Sequence, residues 1–187
     1  REIGTMLEAL KTLRAVNRVV ALAGGVVLLL TAAFVLLEIT LRALHLPNLG
    51  GADEISGYVM AGVTAWGLSV ALTERAHIRI EMAVSKLRDF WRDLIDVAAL
   101  STIAAIAVTV TIYGWKVIGR SLANSSRANT PLETPLWLPQ TIWWSGWIWF
   151  SFTACMVTAI ALGLFFTRRS KELRAVAGSD EDVEIHS

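Results

Sequence analysis

The chain has 187 residues, of which 55% are hydrophobic and only 18% are charged, and its net charge is +1. Soluble domains usually carry about 25% charged residues, and the charges here cluster between long apolar runs, so the composition argues against a soluble domain and for a chain that crosses a bilayer. The small net charge gives no basis for binding nucleic acid. The single cysteine, Cys155, cannot form an intrachain disulfide and is predicted to be a small packing residue.

Four apolar stretches are long enough to span a bilayer, which takes about 20 residues in a helix. They cover residues 19–41, 55–72, 94–117 and 141–167. Barrel strands would alternate apolar and polar residues, which these stretches do not do. The sequence therefore predicts an all-α membrane protein with four transmembrane helices in a single membrane domain, residues 1–170. Residues 171–187 are predicted to be a disordered cytoplasmic tail, because they end in an acidic, polar run.

Two segments outside the spans are predicted to be interfacial amphipathic helices on the inner surface of the membrane. In the N-terminal arm, apolar residues from Ile3 to Leu13 recur at helical spacing between charged ones. In the segment 82–93, Leu87, Phe90 and Trp91 fall on one helical face and charged residues cover the rest.

Lysine and arginine placement predicts the orientation of the spans. Of the 17 such residues, 13 lie in the N-terminal arm, the connection between spans two and three, and the C-terminal tail. We therefore expect a bacterial inner-membrane protein with both termini in the cytoplasm. Tryptophans crowd the outer end of the fourth span, from Trp137 to Trp147. They are predicted to form an interfacial belt, with a partner-facing aromatic surface as the alternative.

Small residues recur every four positions in two of the spans, as they do where helices approach closely in lipid. In the second span they are Gly57, Ala61, Ala65 and Ser69; in the fourth they are Ser151, Cys155, Ala159 and Gly163. Each set is predicted to form a stripe along one helical face. The stripe could pack inside this chain's own bundle or dock against a larger membrane partner, and both interpretations stay open.

Glu38 is the one acidic residue well inside an apolar run, and Arg42 follows it by one helical turn. The spacing predicts an ion pair near the outer interface, with a functional carboxylate as the alternative. The three histidines lie outside the predicted spans, so no pair of them can ligate a haem within the membrane. The sequence shows no motif of a serine hydrolase, zinc protease or P-loop protein. We expect neither an enzyme nor a cofactor.

Local patterns at the ends of the spans carry a resemblance to a known family. They are Arg42 with the acidic pair Asp53-Glu54; the run 76–81, with His77, Arg79 and Glu81; and the run 134–139, with Pro135, Trp137 and Pro139, followed by Gly146. In this order and spacing they resemble the small, DctQ-like membrane subunit of tripartite ATP-independent periplasmic (TRAP) transporters. The resemblance covers about residues 10 to 170.

The resemblance implies a role in solute uptake. In such systems a soluble periplasmic protein captures an organic anion, often a carboxylate, and delivers it to a large and a small membrane subunit. The large subunit resembles a sodium-driven elevator, so sodium ions are expected in that partner and not in this chain. This chain would then be a scaffold that offers part of the docking surface for the binding protein.

Some assignments keep two interpretations. Residues 120–140, which include Arg127, are predicted to be a platform for the soluble partner or an ordinary connecting loop. Glu54 is predicted to cap the second span or to contact a partner. His77 is predicted to bond the chain where it turns, or to be a pH-sensitive contact. The rival functions are a self-sufficient proton-coupled exporter that uses Glu38 and a structural subunit of another membrane complex.

Overall fold

The structure, a computed structural model, describes residues 2–47, 50–74, 89–167, 169 and 173. Within these ranges the chain forms four helices: α1 (Glu2–Ala43), α2 (Ala52–Thr73), α3 (Asp89–Ala123) and α4 (Trp137–Phe166). Each is long and apolar enough to cross a membrane. The prediction of an all-α protein with four spanning helices is therefore confirmed.

Helix α1 runs without interruption for 42 residues. The N-terminal arm is therefore not the separate surface helix that the sequence predicts. Leu10 and Leu13 are buried in the main hydrophobic core, and Asn17 is completely buried. These three residues are spaced by three and four positions, so they share one helical face and can pack between the other helices.

Helix α2 packs against both α1 and α4, and α4 packs against α3. Most of the core lies between α3 and α4. The residues that form it recur alternately at three and four positions: Val97, Leu100, Ala104 and Ala107 on α3, and Phe150, Ala154, Val157, Ala161 and Leu164 on α4. This is the heptad spacing of helices that cross at a shallow angle, and the four alanines let the two backbones approach closely.

The predicted small-residue stripes are only partly buried within this chain, so the interpretation as a surface for a larger partner stays a prediction. On α2, Ala65 and Ser69 are buried, whereas Gly57 and Ala61 point away from the other helices. On α4, Cys155 and Ala159 are exposed, so Cys155 is not a packing residue within this chain. The reason is geometric: four residues rotate a helix by about 400°, so each step drifts by about 40°. The buried face of α4 follows the heptad spacing instead.

Several predicted boundaries differ from the structure. The predicted inner helix at 82–93 lies outside the described residues up to residue 88, and from Asp89 onward its residues form the first turns of α3. Helix α3 therefore extends beyond the predicted span 94–117 at both ends. Leu173, which falls in the predicted tail, is buried in the main core.

The connections α1–α2 and α3–α4 lie at the same end of the bundle, which we call the hairpin end. There, residues 126–136 form a short hairpin, which we call the end hairpin. Arg127 and Pro135 form an antiparallel bridge within it, and the Leu136 amide donates to the Ser126 carbonyl at 3.0 Å.

Candidate functional site

The helices are joined in their interior by a buried polar cluster centred on Asn17. The Asn17 amide donates to the Ser69 carbonyl at 3.0 Å and the Thr73 hydroxyl at 2.9 Å. Its carbonyl accepts from the Ser69 hydroxyl at 3.1 Å and from Trp149 Nε1 at 2.8 Å. One side chain of α1 thus binds α2 and α4 together. Sequence analysis missed it, although its spacing from Leu10 and Leu13 places it on the same face.

A second set of polar contacts joins α3 to α4. Thr111 Oγ1 lies 2.8 Å from Ser151 Oγ and donates to the Trp147 carbonyl at 3.1 Å. Trp144 Nε1 donates to the Thr111 carbonyl at 2.8 Å, and the Thr158 hydroxyl donates to the Leu100 carbonyl at 3.1 Å. Hydrogen bonds between helices are favoured in a membrane because lipid offers the polar atoms no partner.

The tryptophans divide into two groups. Trp115 and Trp137 are largely exposed, as a belt at the membrane interface would require. Trp144 and Trp149 donate hydrogen bonds to neighbouring helices, and Trp66 stacks on Trp149 with ring centroids 6.5 Å apart. These inner tryptophans hold helices together, so the belt describes only part of the predicted cluster.

Glu38 and Arg42 lie near the hairpin end of α1. Arg42 Nη2 is 3.2 Å from Glu38 Oε1. The Glu38 side chain is only 4% exposed and the Arg42 side chain is 65% exposed, so solvent screens the arginine. Among the described residues, Glu38 Oε2 has no hydrogen-bond partner. The ion pair therefore satisfies one oxygen of the buried Glu38 carboxylate and leaves the other without a donor among the described residues.

The end hairpin presents the residues predicted to form a platform. Its bonds are local: the Ala128 amide donates to the Thr134 carbonyl at 2.9 Å, and Arg127 Nη1 approaches the Glu133 carbonyl at 3.4 Å. Pro139 is the third residue of α4, where a helix does not need the missing amide proton. Pro139 is therefore compatible with a helix that begins directly after the hairpin.

The hairpin contacts the beginning of α2. A Cβ on Gly51 would lie 2.6 Å from Leu132 Cγ, so the hairpin packs directly on this backbone. Glu54, one turn into α2, is 8% exposed and accepts a hydrogen bond from the Tyr58 hydroxyl at 2.7 Å. Glu54, the residue predicted to cap this helix, lies in its first turn, and the residue before the helix, Gly51, has a left-handed backbone at φ 80° and makes no side-chain cap.

Two further sites bear on the predictions. Gly146 lies against α2: a Cβ there would be 2.8 Å from Ala65 Cβ and from the Trp66 backbone nitrogen. His77, Arg79 and Glu81 lie outside the described residues. Within the described ranges, no three His, Cys, Asp or Glu residues come together as a metal site.

Helix α1 is the helix least covered by the rest of the chain. None of its most apolar 18-residue window is buried, compared with 50% for the corresponding window of α4. An apolar groove of about 800 Å³ runs between α1 and α2, with Gly24 and Leu28 on one wall and Val59 and Val63 on the other. This side of the bundle therefore offers a large apolar surface at membrane depth.

A comparison with known families decides the identity of this bundle. The family model of the DctQ component of tripartite ATP-independent periplasmic transporters matches residues 31–166. The chain belongs to the DctQ family. It is therefore a component of a TRAP transporter and not an enzyme, as the sequence resemblance implies. The match extends from the last third of α1 to the last residue of α4, and so includes the whole hairpin end. No curated protein and no solved structure matched the chain.

Proposed function

We propose that this DctQ-family chain is the scaffold subunit of a sodium-driven, binding-protein-dependent importer of organic anions, most simply carboxylates. In this proposal it lies in the bacterial inner membrane with both termini in the cytoplasm. It anchors a large elevator-type subunit, which holds the substrate and sodium sites. The end hairpin faces the periplasm and gives the substrate-binding protein part of its docking surface. Membership of the DctQ family carries the proposal.

The distribution of charge in the bundle supports a scaffold. A subunit that couples transport to protons or sodium ions itself usually has acidic groups, or broken helices, near the middle of the membrane. Among the described residues, the acidic side chains of the helices lie within about two turns of a helix end. They are Glu8, Glu38, Asp53, Glu54, Asp93 and Asp96.

The packing supports the same role. An elevator moves its substrate only relative to a frame that stays in place. The Asn17 cluster fixes α1 and α2 to α4, and the Thr111 contacts fix α3 to α4. A bundle in which such bonds join all four helices would resist sliding of one helix past another.

Reconstitution tests this proposal. Proteoliposomes would contain the large subunit with or without this chain, and uptake of the labelled carboxylate that the cognate binding protein captures would be measured. We expect uptake only with both membrane subunits, the binding protein and an inward sodium gradient. A gradient of choline in place of sodium is the control. Uptake by the large subunit alone would contradict the scaffold role.

The same assay separates the rival exporter. Glu38→Gln removes the one carboxylate that is buried within the apolar part of α1 while keeping its shape. Under the scaffold proposal, the maximal uptake rate should stay within about twofold of the unsubstituted protein, since a group outside the transport path changes no rate-limiting barrier. Transport by this chain alone, abolished by Glu38→Gln, would support the exporter instead.

A further inference from the structure

Few interactions within the end hairpin stabilise its own conformation. It is closed by the Arg127–Pro135 bridge and by three backbone hydrogen bonds of 2.9 to 3.0 Å, donated by the amides of Ala128, Glu133 and Leu136. An isolated two-stranded hairpin is at best marginally stable in water. Its order must therefore depend on what it packs against.

What it packs against is the beginning of α2. Leu132 covers Gly51, where any larger residue would overlap with the leucine side chain. Glycine is needed there for a second reason, because its φ of 80° is a left-handed conformation that other residues adopt at a cost. This contact is apolar and lies at the tip of the hairpin, so it does not by itself fix the two arms.

The Glu54 carboxylate provides the polar half of the contact. One oxygen accepts from the Tyr58 hydroxyl of α2, and the hydroxyls of Thr130 and Thr134 and the Thr134 backbone lie close enough to interact with the carboxylate. Only the Tyr58 bond has good hydrogen-bond geometry here: Glu54 Oε2 and Thr130 Oγ1 are both buried without an aligned partner. A buried carboxylate is stabilised by nearby polar groups, and on the hairpin side these are the hydroxyls of Thr130 and Thr134.

We infer that Glu54 is a positioning residue that fastens the end hairpin to α2 and so holds its exposed surface ready for the substrate-binding protein. This inference rests on the proposed function, which makes the hairpin part of the docking surface. Arg127, Asn129 and Glu133 are exposed on the hairpin, whereas Glu54 is buried and acts through it. Fixing a loop in advance strengthens binding because the partner does not have to order it.

The test uses the complex of this chain with the large subunit in nanodiscs. Glu54→Ala removes the carboxylate, and Asp53→Ala removes the neighbouring, exposed acid as a matched control. Hydrogen exchange at the Ala128, Glu133 and Leu136 amides should become about tenfold faster in Glu54→Ala, because the hairpin loses its polar contact with a charged group on α2. Asp53→Ala should leave it unchanged. Unchanged exchange in Glu54→Ala would overturn the inference.

A second variant approaches the contact from the hairpin side. Thr130→Val keeps the shape of the side chain and removes its hydroxyl. Because this substitution leaves α2 unchanged, it provides the test if Glu54→Ala fails to assemble. Both variants should raise the binding-protein concentration that gives half-maximal uptake by about fivefold to tenfold and leave the maximal rate unchanged. A general loss of structure would lower the maximal rate instead, and that result would count against the inference.

The outcomes distinguish the inference from the proposed function. Faster exchange without any change in half-maximal concentration would show that Glu54 holds the hairpin but that the binding protein docks elsewhere, which overturns the positioning role. If the unsubstituted complex takes up no solute, the proposed function itself fails, whatever the exchange rates show.

Discussion

At the scale of single residues, buried polar side chains join the helices of this largely apolar protein. Asn17 is completely buried and makes four hydrogen bonds to Ser69, Thr73 and Trp149. In water such bonds contribute little net stability, because the unfolded chain bonds to solvent. Within a membrane their partners would otherwise be left in lipid, so the cluster also fixes which faces of the helices meet.

We therefore expect Asn17→Ala to lower the free energy of unfolding by about 1–3 kcal/mol, because it leaves the Trp149 indole without its partner. The measurement is unfolding in mixed detergent micelles, followed by tryptophan fluorescence. Trp149→Phe should also lower the free energy of unfolding, and the double substitution should lower it by less than the sum of the two single effects. Thr12→Ala is the control, since the Thr12 hydroxyl bonds only to its own helix. Additive effects would show that the two side chains do not interact.

At the scale of helices, close approach is decided by individual contacts and not by the number of small residues. Gly146 of α4 lies directly on the backbone of α2, whereas Gly67 of α2 has open space where a Cβ would be. Both are glycines in apolar helices, and the apolar character of those helices does not distinguish them. Only the position of the neighbouring helix makes a glycine necessary at residue 146 and not at residue 67.

The two glycines provide a matched comparison. Gly146→Ala should destabilise the protein by about 1–3 kcal/mol, because the added methyl group forces α2 and α4 apart. Gly67→Ala should be neutral or stabilising by up to about 1 kcal/mol, because alanine favours a helix more than glycine does. Thermal unfolding of the purified protein in detergent would measure both. Equal effects of the two substitutions would contradict the packing of α4 on α2.

At the scale of the whole molecule, the two sides of the bundle differ in how closely their helices pack. The core between α3 and α4 is closely packed, whereas α1 contacts mainly α2 and leaves its apolar window uncovered. The beginning of α1 and the end of α4 lie on the side opposite the end hairpin. Which of these sides faces the cytoplasm depends on the distribution of lysine and arginine, and not on the packing.

Cysteine labelling would establish that orientation. Cys155 is the single cysteine and is exposed, so Cys155→Ser provides a background free of thiols. With a membrane-impermeant maleimide on intact spheroplasts, Asn129→Cys in the end hairpin should be labelled and Ser179→Cys in the tail should not. Permeabilising the cells should make both reactive. Labelling of Ser179→Cys alone in intact spheroplasts would reverse the proposed orientation.

The sequence by itself determined that the chain is a four-helix membrane protein of the DctQ family. Long apolar runs can satisfy their backbone groups in lipid only as helices, and the residues that carry the resemblance lie at the ends of those runs. It did not determine which face of each helix is buried. Small residues at four-residue spacing drift around a helix, so within this chain Ala65 and Ser69 are buried while Gly57 and Cys155 are exposed.

Only the tertiary structure decided that the N-terminal arm continues into α1, that Asn17 joins three helices, and that the end hairpin packs on Gly51. Each of these depends on residues far apart in the chain. The physical reason is that lipid and protein interiors are both apolar, so hydrophobicity alone does not distinguish the face that packs from the face that meets lipid. The polar contacts and the close approaches make that distinction, and they exist only once the helices are assembled.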